Sequence, residues 1–315
     1  MTSGFFPLSI TPYLMSWKEI DARYVRQGEL LLELEFVKGW RREVYSMNDA
    51  KEGRPFRYPE SFLTFVAITQ TVFHLPNRQA EGFFRSLSKF VEIEAPDHTT
   101  IGRRVSRLDL RIDDHIIVHS NEPAVVVIAV DSSGIKVTNR GDWLRRKHGV
   151  ERRGWLKLHV AVDTRSGQVL SMEVSEEDVH DTRMLKPLIE GSLKVAPVGK
   201  ALGDGAYDSR ANFQFLSDNG VEPVIRVRKN SVPKARGCHP RKYAVQEQLQ
   251  DREEWSKKHG YGHRWMVESV FSSIKGRLGE HIRAKKLSNM VQEVRLKVFT
   301  YNWLIKGLPM AKRIE

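Results

Sequence analysis

The sequence has a single cysteine, Cys238, among 315 residues. That excludes an internal disulfide and any zinc site built on several thiolates, and it fits a reducing compartment. No apolar run reaches about 18 residues, so no ordinary membrane-spanning helix is expected. The opening stretch MTSGFFPLSI lacks a basic segment followed by a long apolar one, so no secretory signal is expected. The patterns HExxH, GxxxxGK[ST] and GxSxG do not occur, which leaves zinc hydrolase, nucleoside-triphosphatase and serine hydrolase readings without support. Internal repeats and low-complexity tracts are lacking too.

Apolar residues make up 40% of the chain. With this length, that supports a sizeable core in one large domain plus a smaller one. The formal net charge is +12. A protein this basic meets a polyanion, most commonly nucleic acid. Charge alone does not separate a DNA enzyme from an RNA-binding protein.

Residues 1–120 read as a helical, DNA-binding region. Apolar residues recur at helical spacing from Gly28 to Val44, and Pro59–Leu75 reads as a core helix broken by Pro76 and Asn77. A short helix follows to Val91. Asp97 or Thr99 is expected to cap a helix through IGRRVSRLDL. Short helices with tight turns form a helix-turn-helix-type arrangement. Arg103, Arg104 and Arg107 are candidate DNA contacts, the alternative being a plain solvated helix face.

From Val125 the pattern changes to that of a sheet. VVVIAV (Val125–Val130) is a continuous run suited to a buried central strand, ended by Asp131. Lys157–Val162 reads as a second strand, turned by Asp163–Gly167 and returned over Gln168–Val174. Then come a helix over Thr182–Gly191 with Asp181 as its cap, a strand over Lys200–Asp204, a helix capped by Asp208 or Ser209, and a strand over Val221–Arg228. His159, flanked by apolar neighbours in mid-strand, reads as a satisfied core histidine. Lys229–Gln250 is basic and carries Pro and Gly; it reads as a loop near DNA or a solvated connector. A tail helix, Ser288–Leu304, is expected to cover the sheet. The order is that of a ribonuclease H-like α/β fold, a mixed five-stranded sheet flanked by helices, occupying 121–315.

The stretch with most chemistry is YGHRWMVESVFSSIK, Tyr261–Lys275. On a helix, Tyr261, Arg264, Glu268 and Lys275 fall within roughly 60° of one another. Val267, Val270, Phe271 and Ile274 lie beside that stripe and face a core. A carboxylate can hold a divalent cation, and Arg and Lys can grip phosphates. The alternative is an amphipathic helix with an Arg264–Glu268 ion pair. Trp265 borders the stripe, positioned to stack on an unpaired base or to close a core edge. Two carboxylates at strand ends, Asp131 and Asp204, are expected to converge with Glu268 within reach of shared divalent ions. Asp163, in a turn, and Asp208, a cap, rank below them.

Tyr261-x2-Arg264-x3-Glu268-x6-Lys275 matches the Y-x2-R-x3-E-x6-K signature of insertion-sequence DDE transposases. VVVIAVDSSGIKV and ALGDGAYDS resemble the two aspartate-bearing strands of that family. PDHTTIGRR resembles a segment of the IS5-like branch of the IS4/IS5 group. The resemblance spans roughly residues 55–305. It implies Asp131, Asp204 and Glu268 as catalytic and metal-binding residues, Mg2+ or Mn2+ as cofactor, and phosphate contacts from Tyr261, Arg264 and Lys275. It further implies double-stranded DNA (transposon ends and target) as partner, a homodimer in the synaptic complex, and a prokaryotic, nucleoid-associated protein with no membrane contact. The implied activity is binding of terminal inverted repeats, hydrolysis at the element ends and strand transfer. A transposase-derived DNA-binding regulator and another ribonuclease H-like nuclease are the alternatives.

Overall fold

The computed structural model describes residues 17–112, 116, 125–137 and 154–305. Its strands are β1 (Val126–Val137), β2 (Trp155–Asp163), β3 (Val169–Glu176), β4 (Val198–Gly203), β5 (Glu222–Ile225) and a short β6 (His281–Ile282). They form one sheet in the order β3-β2-β1-β4-β5, with β6 beside the far end of β1. The first three strands are antiparallel, and β4 and β5 run parallel to β1 and to each other. This is the expected ribonuclease H-like order.

Alternation along β1 explains its central place. Val127 and Ala129 enter one apolar cluster, Ile128 and Val130 the other. A strand buried on both faces needs apolar side chains in both phases, as VVVIAV supplies. The Asp163–Gly167 turn is built by Asp163 itself, whose carboxylate accepts from the N–H groups of Arg165 at 3.0 Å and Ser166 at 3.1 Å.

The helices are α1 (Trp17–Leu30), α2 (Phe36–Asn48), α3 (Glu60–Val72), α4 (Asn77–Leu87), α5 (His98–Val105), α6 (Leu185–Val195), α7 (Arg210–Asp218), α8 (His239–Gln250), α9 (Arg252–His259), α10 (Trp265–Leu278) and α11 (Leu287–Ile305). One sheet face carries α10 and α11, and the amino-terminal helices join the same cluster: Phe36, Phe62, Phe84 and Ile101 share it with Leu158, Val160, Val270 and Val298. The other face carries α6, α7 and α8. The tail helix covers the sheet as expected. Its buried Asn302 accepts from Val169 N at 3.0 Å and donates to Val169 O at 2.8 Å and Ile112 O at 3.1 Å. Asp97 caps α5, accepting from Thr99 N and Thr100 N at 2.9 Å. Among the described residues no helix is long and apolar enough to cross a membrane.

Three expectations are corrected. The single helix expected over Gly28–Val44 is two, α1 and α2. On one straight helix Leu30 and Phe36 would lie about 120° apart; the break lets both turn inward, and Phe36 packs 5.3 Å from Phe62 and 5.0 Å from Phe65. Asp131 does not end β1, which continues to Val137 against β2. Lys229–Gln250 is not wholly a loop, because its second half is α8, opened by Pro240 in its first turn. The buried Gln248 of α8 donates to Ile225 O at 2.9 Å and accepts from Val227 N at 3.0 Å, continuing the edge of β5.

Candidate active site

One edge of β1 opens where the chemistry lies. β1 pairs with β4 over Val126–Ala129 and with β6 at Lys136–Val137; between these, that edge makes no ladder pair among the described residues. Asp131 sits in the opening. Two residues beyond the last β1–β4 pair, Ala129 with Leu202, stand Asp131 on one chain and Asp204 on the other. Ala129 and Leu202 belong to the cluster under α10, so the period of two directs both carboxylates to that face. Asp204 then leaves the strand, and its Oδ1 accepts from Ala206 N at 2.9 Å to start the 3-10 turn Gly205–Tyr207.

The helix opposite is aimed by Gly260, which ends α9 in the left-handed region at φ +68°. Tyr261–Arg264 then forms a 3-10 turn, and the α-helix starts only at Trp265. The straight helical stripe from Tyr261 is thus corrected at its start: Tyr261 lies on the tighter turn, while Arg264 adjoins α10 in α-helical backbone and keeps its place on the stripe. Its Nη1 donates to Asp131 Oδ2 at 2.7 Å while its Nη2 donates to Glu268. Further along α10, Lys275 Nζ donates to Ser133 Oγ at 2.7 Å. Ser133 is two residues past Asp131, on the same face, so α10 is fastened along β1 at both ends. Val267, Val270, Phe271 and Ile274 are buried beneath it, as expected.

Burial raises the pKa of Asp131, and the nearby Asp204 charge adds to this; the Ser132 N–H and the Arg264 cation oppose it. Glu268 stands outward, its side chain 58% exposed. Asp131 and Asp204 are neighbours, whereas Glu268 joins Asp131 through Arg264. No three His, Cys, Asp or Glu side chains among the described residues are arranged to hold an ion. Tyr261 packs against Trp255, ring centroids 5.1 Å apart, and lines a cavity of about 340 Å³ with Arg226, Arg252 and Lys257. Trp265 is 56% exposed and closes no core edge. Arg103 and Arg107 are exposed on α5 and the turn after it. Arg104 instead lays its guanidinium 4.4 Å over the Phe56 ring.

Two acidic side chains do other work than expected. Ser209, not Asp208, caps α7. Asp208 is a buried anchor, accepting from Arg241 Nε at 2.6 Å, Arg241 Nη2 at 3.0 Å, Arg228 N at 3.0 Å and Ser231 Oγ at 3.1 Å. Asp181 caps no helix, since α6 has no side-chain cap. It opens a 3-10 turn and accepts from Ser132 Oγ at 3.0 Å and Lys157 Nζ at 3.4 Å. These partners are distant in sequence, and only the fold brings them together.

Among solved structures, the piggyBac transposase synaptic complex with hairpin DNA is similar at TM-score 0.40 and 10% identity, over 90% of this chain and 74% of that one. The Drosophila P element transposase strand transfer complex follows at TM-score 0.32 and 10% identity, over 89% and 86%. The Mos1 mariner paired end complex with Mn matches at TM-score 0.24 and 13% identity, over 82% and 88%. A transposase DDE domain profile matches residues 25–140. A second such profile matches residues 123–303, more than half of the chain and the whole of the sheet just described. The chain therefore belongs to the transposase DDE-domain family.

Proposed function

We propose that this transposase serves an insertion sequence of the IS5-like branch, and that Asp131, Asp204 and Glu268 are its catalytic carboxylates. The observation that carries the reading is the register of β1 and β4, which sets Asp131 and Asp204 side by side under a helix whose Arg264 links Asp131 to Glu268. The three would hold Mg2+ or Mn2+. The donor set is hard oxygen without thiolate or imidazole, and the partly buried Asp131 beside the Asp204 charge is an arrangement that a divalent cation relieves. When bound, such an ion supplies Lewis acidity to the attacking and leaving oxygens of a phosphodiester.

The chain's own residues supply the rest. Arg264 offers a planar, oriented fork and Lys275 a point charge, held by Ser133, to the phosphates flanking the cut. The Tyr261 phenol adds a hydrogen bond, and the exposed Trp265 indole a stacking surface for an unpaired base. Water cuts the element ends, and the freed 3′-hydroxyls then attack target DNA. The amino-terminal helices, through Arg103 and Arg107 with Arg104 held against Phe56, contact the terminal inverted repeats. Two copies pair the two ends. The setting is the prokaryotic nucleoid.

Three variants of the full chain, Asp131→Asn, Asp204→Asn and Glu268→Gln, test this. Each keeps side-chain size and removes one negative charge. End-DNA affinity should hold or tighten slightly, while cleavage falls by about 10³-fold or more. Cleavage near the wild-type rate by any one of them removes that residue from the site. For Glu268 it would leave only an ion-pair partner of Arg264. A strand-transfer assay on precut ends separates a transposase from a regulator or a resolvase-like nuclease.

A further inference from the structure

A second polar network lies behind the first, on the opposite face of the sheet. Ser132 is paired with His159 in the β1–β2 ladder, and both point away from α10, toward the face carrying α6. There Asp181 Oδ1 accepts from Ser132 Oγ at 3.0 Å and from Lys157 Nζ at 3.4 Å. Lys157 Nζ also donates to Val179 O at 3.0 Å, which holds it beside the Asp181 turn. On the other side of the strand, Ser132 N donates to Asp131 Oδ1 at 2.8 Å. Ser132 thus has its hydroxyl in one network and its amide in the other.

His159 lies behind Asp181. Its side chain is fully buried. His159 Nε2 and Ser175 Oγ share a hydrogen bond of 2.8 Å. Burial first, with the Lys157 charge adding, lowers the His159 pKa to about 4, so the ring is neutral near pH 7. Nδ1 has no hydrogen-bond partner and faces Asp181 Oδ1 at 3.7 Å. At that distance the histidine makes no hydrogen bond to Asp181, which is held by its donors, Ser132 and Lys157.

The Asp181 turn is also tied to the Asp204 turn. Thr182 Oγ1 donates to Ala206 O at 2.6 Å, and Asn212 Nδ2 donates to Thr182 O at 3.1 Å and Tyr207 O at 3.0 Å. The Tyr207 hydroxyl, buried and without a hydrogen-bond partner, lies within the fields of Asp131, Asp181 and Asp204 together.

We infer that Asp181 is a positioning residue for Asp131, acting through Ser132 from the rear face of the sheet and, through its own turn, on the segment carrying Asp204. The inference rests on the catalytic reading of Asp131. It differs from a fourth ligand in that Asp181 is to act by accepting one hydrogen bond, a role that asparagine's carbonyl oxygen can fill.

The test uses the full chain with end-DNA oligonucleotides. Asp181→Ala and Ser132→Ala should each lower kcat for cleavage by about 10- to 100-fold, with Kd for end DNA within about threefold of wild type. The double variant should lose no more than the worse single one, since both break the same strut. Asp181→Asn should recover to within about fivefold of wild type. In the protein without DNA, Mn2+ titration followed by EPR should show the same ranking: weaker binding in both alanine variants and near-normal binding in Asp181→Asn. A wild-type kcat in Ser132→Ala, multiplicative losses in the double variant, or an Asp181→Asn as damaged as Asp181→Ala each overturn the inference. Should Asp181→Ala fail to fold, Ser132→Ala and Asp181→Asn decide alone. Asp131→Asn runs alongside; normal cutting by that variant overturns the reading of Asp131 instead.

Discussion

Arg241→Met would cut the clip that holds the basic segment to the turn after Asp204. The Asp208 side chain is fully buried and that of Arg241 is 14% exposed. Two of the four hydrogen bonds to Asp208 come from that guanidinium; Arg228 N and Ser231 Oγ give the others. Burial alone would raise the Asp208 pKa, but the Arg241 hydrogen bonds and those from Arg228 and Ser231 hold it below its usual 3.8. Methionine fills the arginine stem but strands the anion with two neutral donors. Breaking one side of a buried pair costs about 3–5 kcal/mol, so Arg241→Met should lower unfolding stability by that amount. Asp208→Asn should cost a similar amount, because it leaves the arginine unpaired. The double variant should recover much of either loss, since replacing both charges is close to neutral. Urea unfolding at pH 7, read by far-UV circular dichroism with linear extrapolation, gives all three values. Single losses below about 1 kcal/mol, or a double loss equal to the sum, would refute the reasoning and mark the pair as solvated.

Two further outcomes follow from buried groups. His159 has a folded pKa of about 4 against 6.5 unfolded; between those values the unfolded chain binds a proton that the folded one refuses, so stability is full above pH 6.5 and falls toward pH 4. The loss approaches about 3 kcal/mol, and His159→Gln should flatten that part of the stability–pH curve; an unchanged slope would assign the loss elsewhere. Asn302→Leu leaves the buried N–H and C=O of Val169 unpaired and should lower stability by about 2–5 kcal/mol in the same urea assay; a loss under about 1 kcal/mol would mean that β3 finds other partners.

Much of the site could be read from local pattern. Asp131 follows an apolar run and Asp204 follows a short apolar strand, and both positions are visible one residue at a time. The face of α10 with Val267, Val270, Phe271 and Ile274 was equally plain from its period. The place of Tyr261 was not, because the wheel assumed an α-helix from that residue, whereas Gly260 starts a 3-10 turn over Tyr261–Arg264. DSSG after Val130 has turn composition, yet the ladder with β2 carries the strand through it. At Gly134 an added Cβ would meet Trp155 Cε3 at 3.1 Å, so the half-exposed indole would have to give. The segment around Pro240 misleads in the opposite direction: Pro and basic residues resemble a connector, although Pro in a first turn is itself a helix start. Asp181 with Ser132, and Asp208 with Arg241, leave no local trace, because their partners meet only after the sheet is assembled.

The single apolar cluster that runs from Phe36 and Phe62 through the sheet to Val298 bears on how such a protein can change. Modules joined by a linker can be exchanged by recombination, each keeping its own core. Here a cut near residue 120 would bare the sides of α10 and α11 that pack on α3, and α3 would lose the same cover. Exchanging the amino-terminal helices whole would break that shared interior. On the proposed reading of Arg103 and Arg107 as DNA contacts, a new recognition sequence would come by substitution at such exposed positions, on helices that stay committed to the interior they share with the sheet.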